Sequence, residues 1–313
     1  MKDLVIVGAG PIGLYAGILA SLHNLDAAVI EGKECVGGQL SSLYPEKEII
    51  DLPGFNNITA KEFIDKLVEQ FNSKENKPEM FLSEEVKNFT RVDDYYKIIT
   101  TKREMCAKCI LLTTGMGVFT PRKMGIENED LFDNIIYSLN DKSKYKNKTV
   151  AILGGGDSAV DWALTLSDIA SKVYIIHRRN EFRAQSSSVE LLDKKGVTKL
   201  TPYVVSNLIG DKSVESIEIK DNNGNTKEIK IDAVFVNYGM IPSSTSFNVE
   251  KIGTNIKVGA FYQTSLENVF AIGNIAHYEG KVKNITSGLG EAVTAITKID
   301  QIIHPNKNIP VHF

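Results

Sequence analysis

Cysteine is scarce in this chain. Three cysteines among 313 residues cannot build a disulfide framework, and a reducing, cytoplasmic setting is expected. Basic charge is not in excess either. A formal net charge of −3 excludes a general nucleic-acid binder, which would be clearly basic, but leaves room for a local basic patch facing an acidic partner. No long apolar run is unbroken. Leu4 to Leu22 holds no charged residue, yet Gly8, Gly10, Pro11 and Gly13 interrupt its middle, so it reads as strand, turn and helix rather than as a membrane span. Met1-Lys2-Asp3 supplies no basic n-region, and no small-residue cleavage site follows, so no signal peptide is expected. The five histidines are scattered, with no Ser/His/Asp triad and no metal-ligand cluster. What is present is the composition of a soluble globular protein, 42% hydrophobic and 24% charged, in a chain long enough for two domains.

Two stretches share one grammar. In the first, Asp3 to Val7 is a short apolar strand. Gly8-Ala9-Gly10-Pro11-Ile12-Gly13 follows at once, then a helix from Ile12 to Leu22, then a second strand, Ala27 to Ile30, that ends in Glu31. Strand, glycine turn, helix, strand and acid in this order form a dinucleotide-binding fingerprint. Gly8 permits the tight turn, Gly10 lets backbone approach a pyrophosphate, and Gly13 lets helix pack on strand. The helix N-terminus offers amide donors to phosphate, and Glu31 is placed to accept from a ribose hydroxyl. The second stretch runs from the strand Thr149 to Leu153 through Gly154-Gly155-Gly156-Asp157-Ser158-Ala159, a helix from Val160 to Ile169, and a strand from Lys172 to Ile176.

The two differ where the acid should stand. The position equivalent to Glu31 is His177, followed by Arg178 and Arg179, with Arg183 close by. A carboxylate there would repel a 2′-phosphate, whereas guanidinium groups bind one through charge-assisted hydrogen bonds. The first unit is therefore expected to hold FAD, and the second NADP(H) in preference to NAD(H).

The remaining segments fill in around these units. Glu34 to Leu40 contains Gly37-Gly38-Gln39, a loop able to approach a flat ligand. Thr59-Ala60-Lys61-Glu62 is a capping box opening an amphipathic helix to about Asn72, with Phe63, Leu67, Val68 and Phe71 as its core face. Tyr95 to Thr101 and Cys109 to Thr113 read as strands, the latter running into the Thr114-Gly115 turn. Val214 to Ile231 reads as a hairpin around Asp221 to Asn225. Val269 to Ile272 leads into Gly273-Asn274, and a last helix spans roughly Gly288 to Ile303. The expected fold class is α/β with two Rossmann-like domains, one inserted into the other: an FAD-binding domain made of residues 1–117 and 248–313, and an NADP-binding domain of residues 118–247.

With these residues in view, the chain resembles the thioredoxin reductase-like flavoproteins, through Gly-Ala-Gly-Pro-Ile-Gly at 8–13, Gly-Gly-Gln-Leu at 37–40, Pro-Gly-Phe at 53–55, Gly-Gly-Gly-Asp-Ser-Ala at 154–159 and His-Arg-Arg at 177–179. Within that group it is most similar to the ferredoxin (flavodoxin)–NADP+ reductase branch. That likeness rests on Leu43 to Lys47, on Asp157 to Ala163, and on Tyr278 to Lys283 with Ser287-Gly288 and Gly290-Glu291-Ala292. The resemblance implies a homodimer. It places Tyr44 on one flavin face, and His312, contributed across the dimer, on the other. It implies FAD contacts from Gly8, Gly10, Pro11, Ile12, Gly13, Glu31, Gly38, Gln39, Leu40, Tyr44, Thr114, Gly115, Gly273, Asn274 and Ser287. It implies NADP contacts from Gly154, Gly156, Asp157, Ser158, Ala159, His177, Arg178, Arg179 and Arg183. The family carries Gly-Asp where this chain has Gly273-Asn274, and family members extend past the position of Phe313.

The implied reaction is hydride transfer from NADPH to flavin, followed by one-electron steps to ferredoxin or flavodoxin, with no metal. A thioredoxin reductase carries its redox Cys-x-x-Cys shortly before the second glycine turn, and Leu131 to Val150 has no cysteine. The Cys106-Ala107-Lys108-Cys109 motif lies elsewhere, at the start of a strand that would turn its two thiols to opposite faces. A disulfide reductase using Cys106 and Cys109, and a low-turnover flavin-binding regulatory protein, are the alternatives. Lys142, Lys144, Lys146 and Lys148 form either a solvated face or a docking patch for an acidic partner.

Overall fold

The computed structural model describes residues 1–306 except Tyr44, Met116, Val118, Asn140 and residues 243–246. Among the described residues the α-helices are α1 (Pro11–Leu22), α2 (Gln39–Ser42), α3 (Ala60–Asn72), α4 (Asp157–Ser167), α5 (Ser186–Lys194) and α6 (Ile285–Ile303). The chain divides into an outer unit, Met1–Phe119 with the chain from Pro242 onward, and an inner unit, Thr120–Ile241. The return to the outer unit falls earlier than residue 248. Phe247 packs its ring 5.2 Å from that of Phe89 in the outer core.

The outer unit is built on a sheet ordered Glu79–Phe81, Ala27–Ile30, Lys2–Val7, Glu104–Leu112, Tyr95–Thr100, Val86–Val92. The Glu104–Leu112 strand serves two neighbours on one edge. Its first half pairs antiparallel with Tyr95–Thr100, and its second half pairs parallel with Val269–Ala271. It is longer than the sequence expectation and contains both Cys106 and Cys109. Strand alternation then sorts the core. Leu4, Ile6, Cys109, Leu111 and Phe270 face the helix side with Leu14, Ile18, Phe71 and Ile296. Val5, Val7, Ile110 and Leu112 face the other side with Tyr96, Phe247 and Ile256.

Helix boundaries follow their caps. In α3 the Thr59 hydroxyl accepts from Glu62 N–H, and the Glu62 carboxylate accepts from Thr59 N–H, as the capping box requires. The last helix begins at Ile285, not Gly288, because Asn284 caps it and accepts from Ser287 N–H at 2.8 Å. Gly288 lies inside the helix for packing. A Cβ there would sit 2.7 Å from Cδ1 of Ile12, so glycine lets α6 close onto the first turn of α1.

The inner unit is a five-stranded parallel sheet ordered Ile135–Ile136, Ala233–Val236, Thr149–Leu153, Lys172–Ile176, Thr198–Leu200. Helices α4 and α5 cover one face, where Phe235 meets Trp162 and Tyr145 edge-on. An antiparallel meander of Tyr203–Gly210, Val214–Asp221 and Thr226–Lys230 covers the other. The predicted hairpin is its second half. Among the described residues no helix is long and apolar enough to cross a membrane.

Candidate functional site

In each unit a glycine turn sits where a parallel strand runs into a helix, at the carboxyl ends of the strands. In the outer unit the turn is stitched on both sides. Gly8 N–H donates to Ile30 O at 2.8 Å, Thr113 N–H to Val7 O at 2.9 Å, and the Thr113 hydroxyl to Gly8 O at 2.8 Å. The chain closes so tightly that a Cβ on Gly13 would stand 1.9 Å from Gly8 O. Gly10 caps α1 without a side-chain hydrogen bond, with Pro11 in the first turn, and open space lies where its side chain would be. Helices α3 and α6 satisfy first-turn amides with Thr59 and Asn284; α1 has no such cap. A helix end of this kind offers amide donors and partial positive charge to an anion.

Glu31 is buried at the end of the second strand and braces the turn. Its Oε2 accepts from Ala9 N–H at 2.7 Å and its Oε1 from Lys33 N–H at 2.9 Å. Each oxygen keeps a further lone pair for a hydroxyl donor. The Lys33 ammonium donates to the Ser42 hydroxyl at 2.9 Å; burial lowers its pKa, against the pull of Glu31.

Several of the residues singled out from sequence gather around this turn. Gly37 N–H donates to Ala9 O at 2.8 Å, and a Cβ on Gly38 would stand 3.2 Å from Gly10 Cα. Gln39 and Leu40 open α2 directly after. Thr114 and Gly115 follow the stitching Thr113, and Gly115 faces open space. Gly273 lies beside Ile12, and Asn274 projects exposed from the same turn. Ser287 is in the first turn of α6 with its amide already taken by Asn284. Tyr44 and His312 lie outside the described residues.

The inner turn repeats the design with different chemistry. Gly154 N–H donates to Ile176 O at 3.0 Å. Ala159 takes the place of the third glycine. Gly156 caps α4 with no side-chain hydrogen bond and nothing within 4 Å of where its Cβ would be. Asp157 and Ser158 lie in the first turn of α4, and the Asp157 carboxylate accepts from Gln185 N–H at 3.1 Å. Arg183 N–H donates to Gly155 O at 2.7 Å, folding the 178–185 loop back onto the turn. Arg178, Arg179 and Arg183 are all exposed, and none makes an ion pair among the described residues. His177 is buried beneath them, its ring stacked on Phe182 at 5.5 Å and its Nε2 without a partner. Burial lowers its pKa, and the three guanidinium charges lower it further, while a hydrogen bond to the Glu181 backbone opposes them.

The two thiols of the Cys-x-x-Cys motif are not a pair. Cys109 is fully buried on the helix side of the sheet, and burial raises its pKa to about 12. Cys106 is half-buried, and both thiols are free. Lys142, Lys144, Lys146 and Lys148 are exposed around a short 3-10 turn at the amino ends of the inner strands, the end of that sheet opposite its glycine turn. Sequence reasoning missed Phe182, Asn284 and the buried group formed by Tyr278, Lys281 and Glu291. Asn284 was legible as an Asn three residues before Ser287; the others are set by tertiary contacts.

Fold and site together define a protein of two dinucleotide-type folds, one carried within the other. A family model described as pyridine nucleotide-disulphide oxidoreductase matches residues 2–298. A ferredoxin–NADP reductase of Acholeplasma laidlawii is 41% identical over 312 residues, covering 98% of this chain and 96% of that protein. One of Streptococcus agalactiae is 40% identical over 313 residues, covering 98% and 95%. Among solved structures, Lactococcus lactis thioredoxin reductase superposes with a TM-score of 0.78 at 25% identity, covering 97% of this chain and 99% of the other. Thioredoxin reductase of T. acidophilum gives a TM-score of 0.79 at 24% identity, covering 96% and 98%. The chain belongs to the pyridine nucleotide-disulphide oxidoreductase family, and its curated relatives at about 40% identity are ferredoxin–NADP reductases.

Proposed function

We propose that this chain is an FAD-dependent oxidoreductase that moves electrons between NADPH and ferredoxin or flavodoxin. The observation that carries the reading is the contrast between two otherwise equal turns. Both helices are capped by bare glycine and leave first-turn amides for a ligand phosphate. One turn ends in the buried carboxylate of Glu31, the other in three guanidinium groups with no carboxylate partner among the described residues.

The outer unit fits FAD. Gly10 and Gly115 face open space, Gly38 crosses above Gly10, and Glu31 keeps acceptor capacity for a ribose. In this reading Pro11, Ile12, Gln39, Leu40, Thr114, Gly273, Asn274 and Ser287 line the same cofactor, and Tyr44 and the His312 of a second copy cover its flavin faces. The inner unit fits NADPH, with Gly154, Gly156, Asp157, Ser158 and Ala159 at the pyrophosphate and His177, Arg178, Arg179 and Arg183 at the 2′-phosphate. When bound, the flavin supplies the exchange between two-electron and one-electron chemistry. The chain's own residues bind, orient and exclude water. A disulfide relay through Cys106 and Cys109 is disfavoured, since Cys109 is fully buried and burial raises its thiol pKa to about 12.

Anaerobic titration of the purified protein with NADPH, with candidate ferredoxins and flavodoxins present, tests the reading. Bleaching of the yellow protein followed by repeated reoxidation by one of these acceptors is the expected result. A protein that bleaches but never turns over would favour the regulatory reading, and one that cannot be loaded with FAD would refute both.

A further inference from the structure

One group of charged side chains in the outer unit is unused by the reading above. Glu291 lies in the second turn of α6 and is 1% exposed. Its Oε2 accepts from Gly273 N–H at 2.7 Å. Its Oε1 accepts from the Tyr278 hydroxyl at 2.8 Å and from the Lys281 ammonium. Lys281 is itself sequestered, with a side chain only 4% exposed, and its ammonium lies 5.4 Å from the Tyr278 ring. The Tyr262 ring backs Tyr278 at 5.5 Å. Burial and then the Glu291 carboxylate push the Tyr278 phenol upward, so it stays a donor.

A buried ion pair is a costly way to stabilise a fold, because desolvation opposes the attraction. Glu291 grips the amide of Gly273, whose φ of +73° turns the chain sharply at the end of the Val269–Ala271 strand. The carbonyl of Asn274 accepts from Asn255 Nδ2 at 2.6 Å. Both backbone groups of the turn are thus pinned, while the Asn274 side chain stands exposed with no hydrogen-bond partner among the described residues. The turn lies against Ile12 of the first glycine turn. A turn pinned at both backbone groups beside the first glycine turn, with its amide side chain exposed, is built to present that side chain to a ligand.

We propose that Glu291, seated by Lys281 and Tyr278, is a positioning residue for flavin binding, acting through the Gly273–Asn274 turn. The inference rests on the assignment of FAD to the outer unit. Lys281 neutralises the buried carboxylate so that it can be held there, and Tyr278 fixes its rotamer.

The test is a set of equilibrium FAD affinities and bound-flavin absorption spectra on full-length apoprotein, with the apoprotein melting temperature as a folding check. Glu291→Ala is expected to weaken FAD by at least about tenfold and to alter the bound spectrum, since the turn loses its anchor and Lys281 is left buried and unpaired. Glu291→Gln with Lys281→Met keeps an acceptor for Gly273 N–H without the buried charges, and should return the affinity to within about threefold of wild type. Asp300→Asn removes another buried carboxylate of α6, far from the turn, and should leave affinity and spectrum unchanged. Wild-type affinity in Glu291→Ala would overturn the proposal, as would an equal loss in Asp300→Asn. If Glu291→Ala does not fold, the double variant decides: a loss of affinity in a folded double variant also overturns it. Failure of the wild-type apoprotein to take up FAD is a separate outcome that removes the outer-unit assignment itself.

Discussion

Gly13 and His177 show how much rests on single positions. With Gly8 O only 1.9 Å from a would-be Cβ, Gly13→Ala must push strand and helix apart. It is expected to cost at least about 2 kcal/mol of stability and to block FAD loading, both readable from melts with and without the cofactor. His177 governs a pH response. Its charged form is disfavoured in the folded chain by burial and by its arginine neighbours. The unfolded chain therefore takes up the proton more readily, and stability falls as pH drops below the ordinary value of 6.5 toward the lowered native one. His177→Asn should flatten that part of a plot of melting temperature against pH; an unchanged slope would assign the effect to other groups. Replacing Arg178 and Arg179 by Ala should raise the Kd for NADPH far more than that for NADH, and equal losses would remove their assignment to the 2′-phosphate.

Among helices, the decisive contrast lies between capped and uncapped N-termini. Thr59→Ala should cost α3 about 1 kcal/mol and change no ligand affinity. The converse experiment is Gly156→Asp. The site has room for a side chain and an extended backbone (φ −96°, ψ 177°), so the new carboxylate can cap α4 itself. The apoprotein should be as stable or more so, while NADPH binding weakens by at least about tenfold, because a negative charge then occupies the place of a phosphate. Unaltered NADPH affinity in a folded Gly156→Asp protein would show that the pyrophosphate does not rest there.

Much of the element order was legible in sequence because local chemistry wrote it. The Thr59 box, the Ala27–Ile30 strand and both glycine turns are set by spacing within a few residues. What was not legible depends on contacts across the chain. The start of α6 was placed at Gly288, whereas Asn284 caps the helix and Gly288 is small to admit Ile12. Nothing in the local pattern between Pro242 and residue 248 tells that Phe247 will meet Phe89. Glu291 entered only as part of the Gly290-Glu291-Ala292 string that carries the resemblance, and only the fold shows it gripping a backbone amide eighteen residues away.

At the scale of the whole molecule, the nested layout separates two tasks that remain linked by one chain. The cysteines carry a prediction at this level. Joint replacement of Cys106 and Cys109 by Ala should leave NADPH-driven electron flow to ferredoxin or flavodoxin unchanged, and its abolition would revive the disulfide mechanism. Lys142, Lys144, Lys146 and Lys148 are exposed on a chain of net charge −3; whether an acidic partner uses them is read from the salt dependence of the acceptor's KM.

The Glu104–Leu112 strand receives its parallel neighbour Val269–Ala271 only after all of Thr120–Ile241 has been synthesised. On the ribosome the contiguous inner module can mature first, while the outer sheet waits with one edge incomplete. A released chain ending at Ile241 should therefore be retained by an immobilised 2′,5′-ADP matrix yet capture no flavin, so that the protein acquires its two nucleotide specificities in the reverse of the order in which its motifs are encoded.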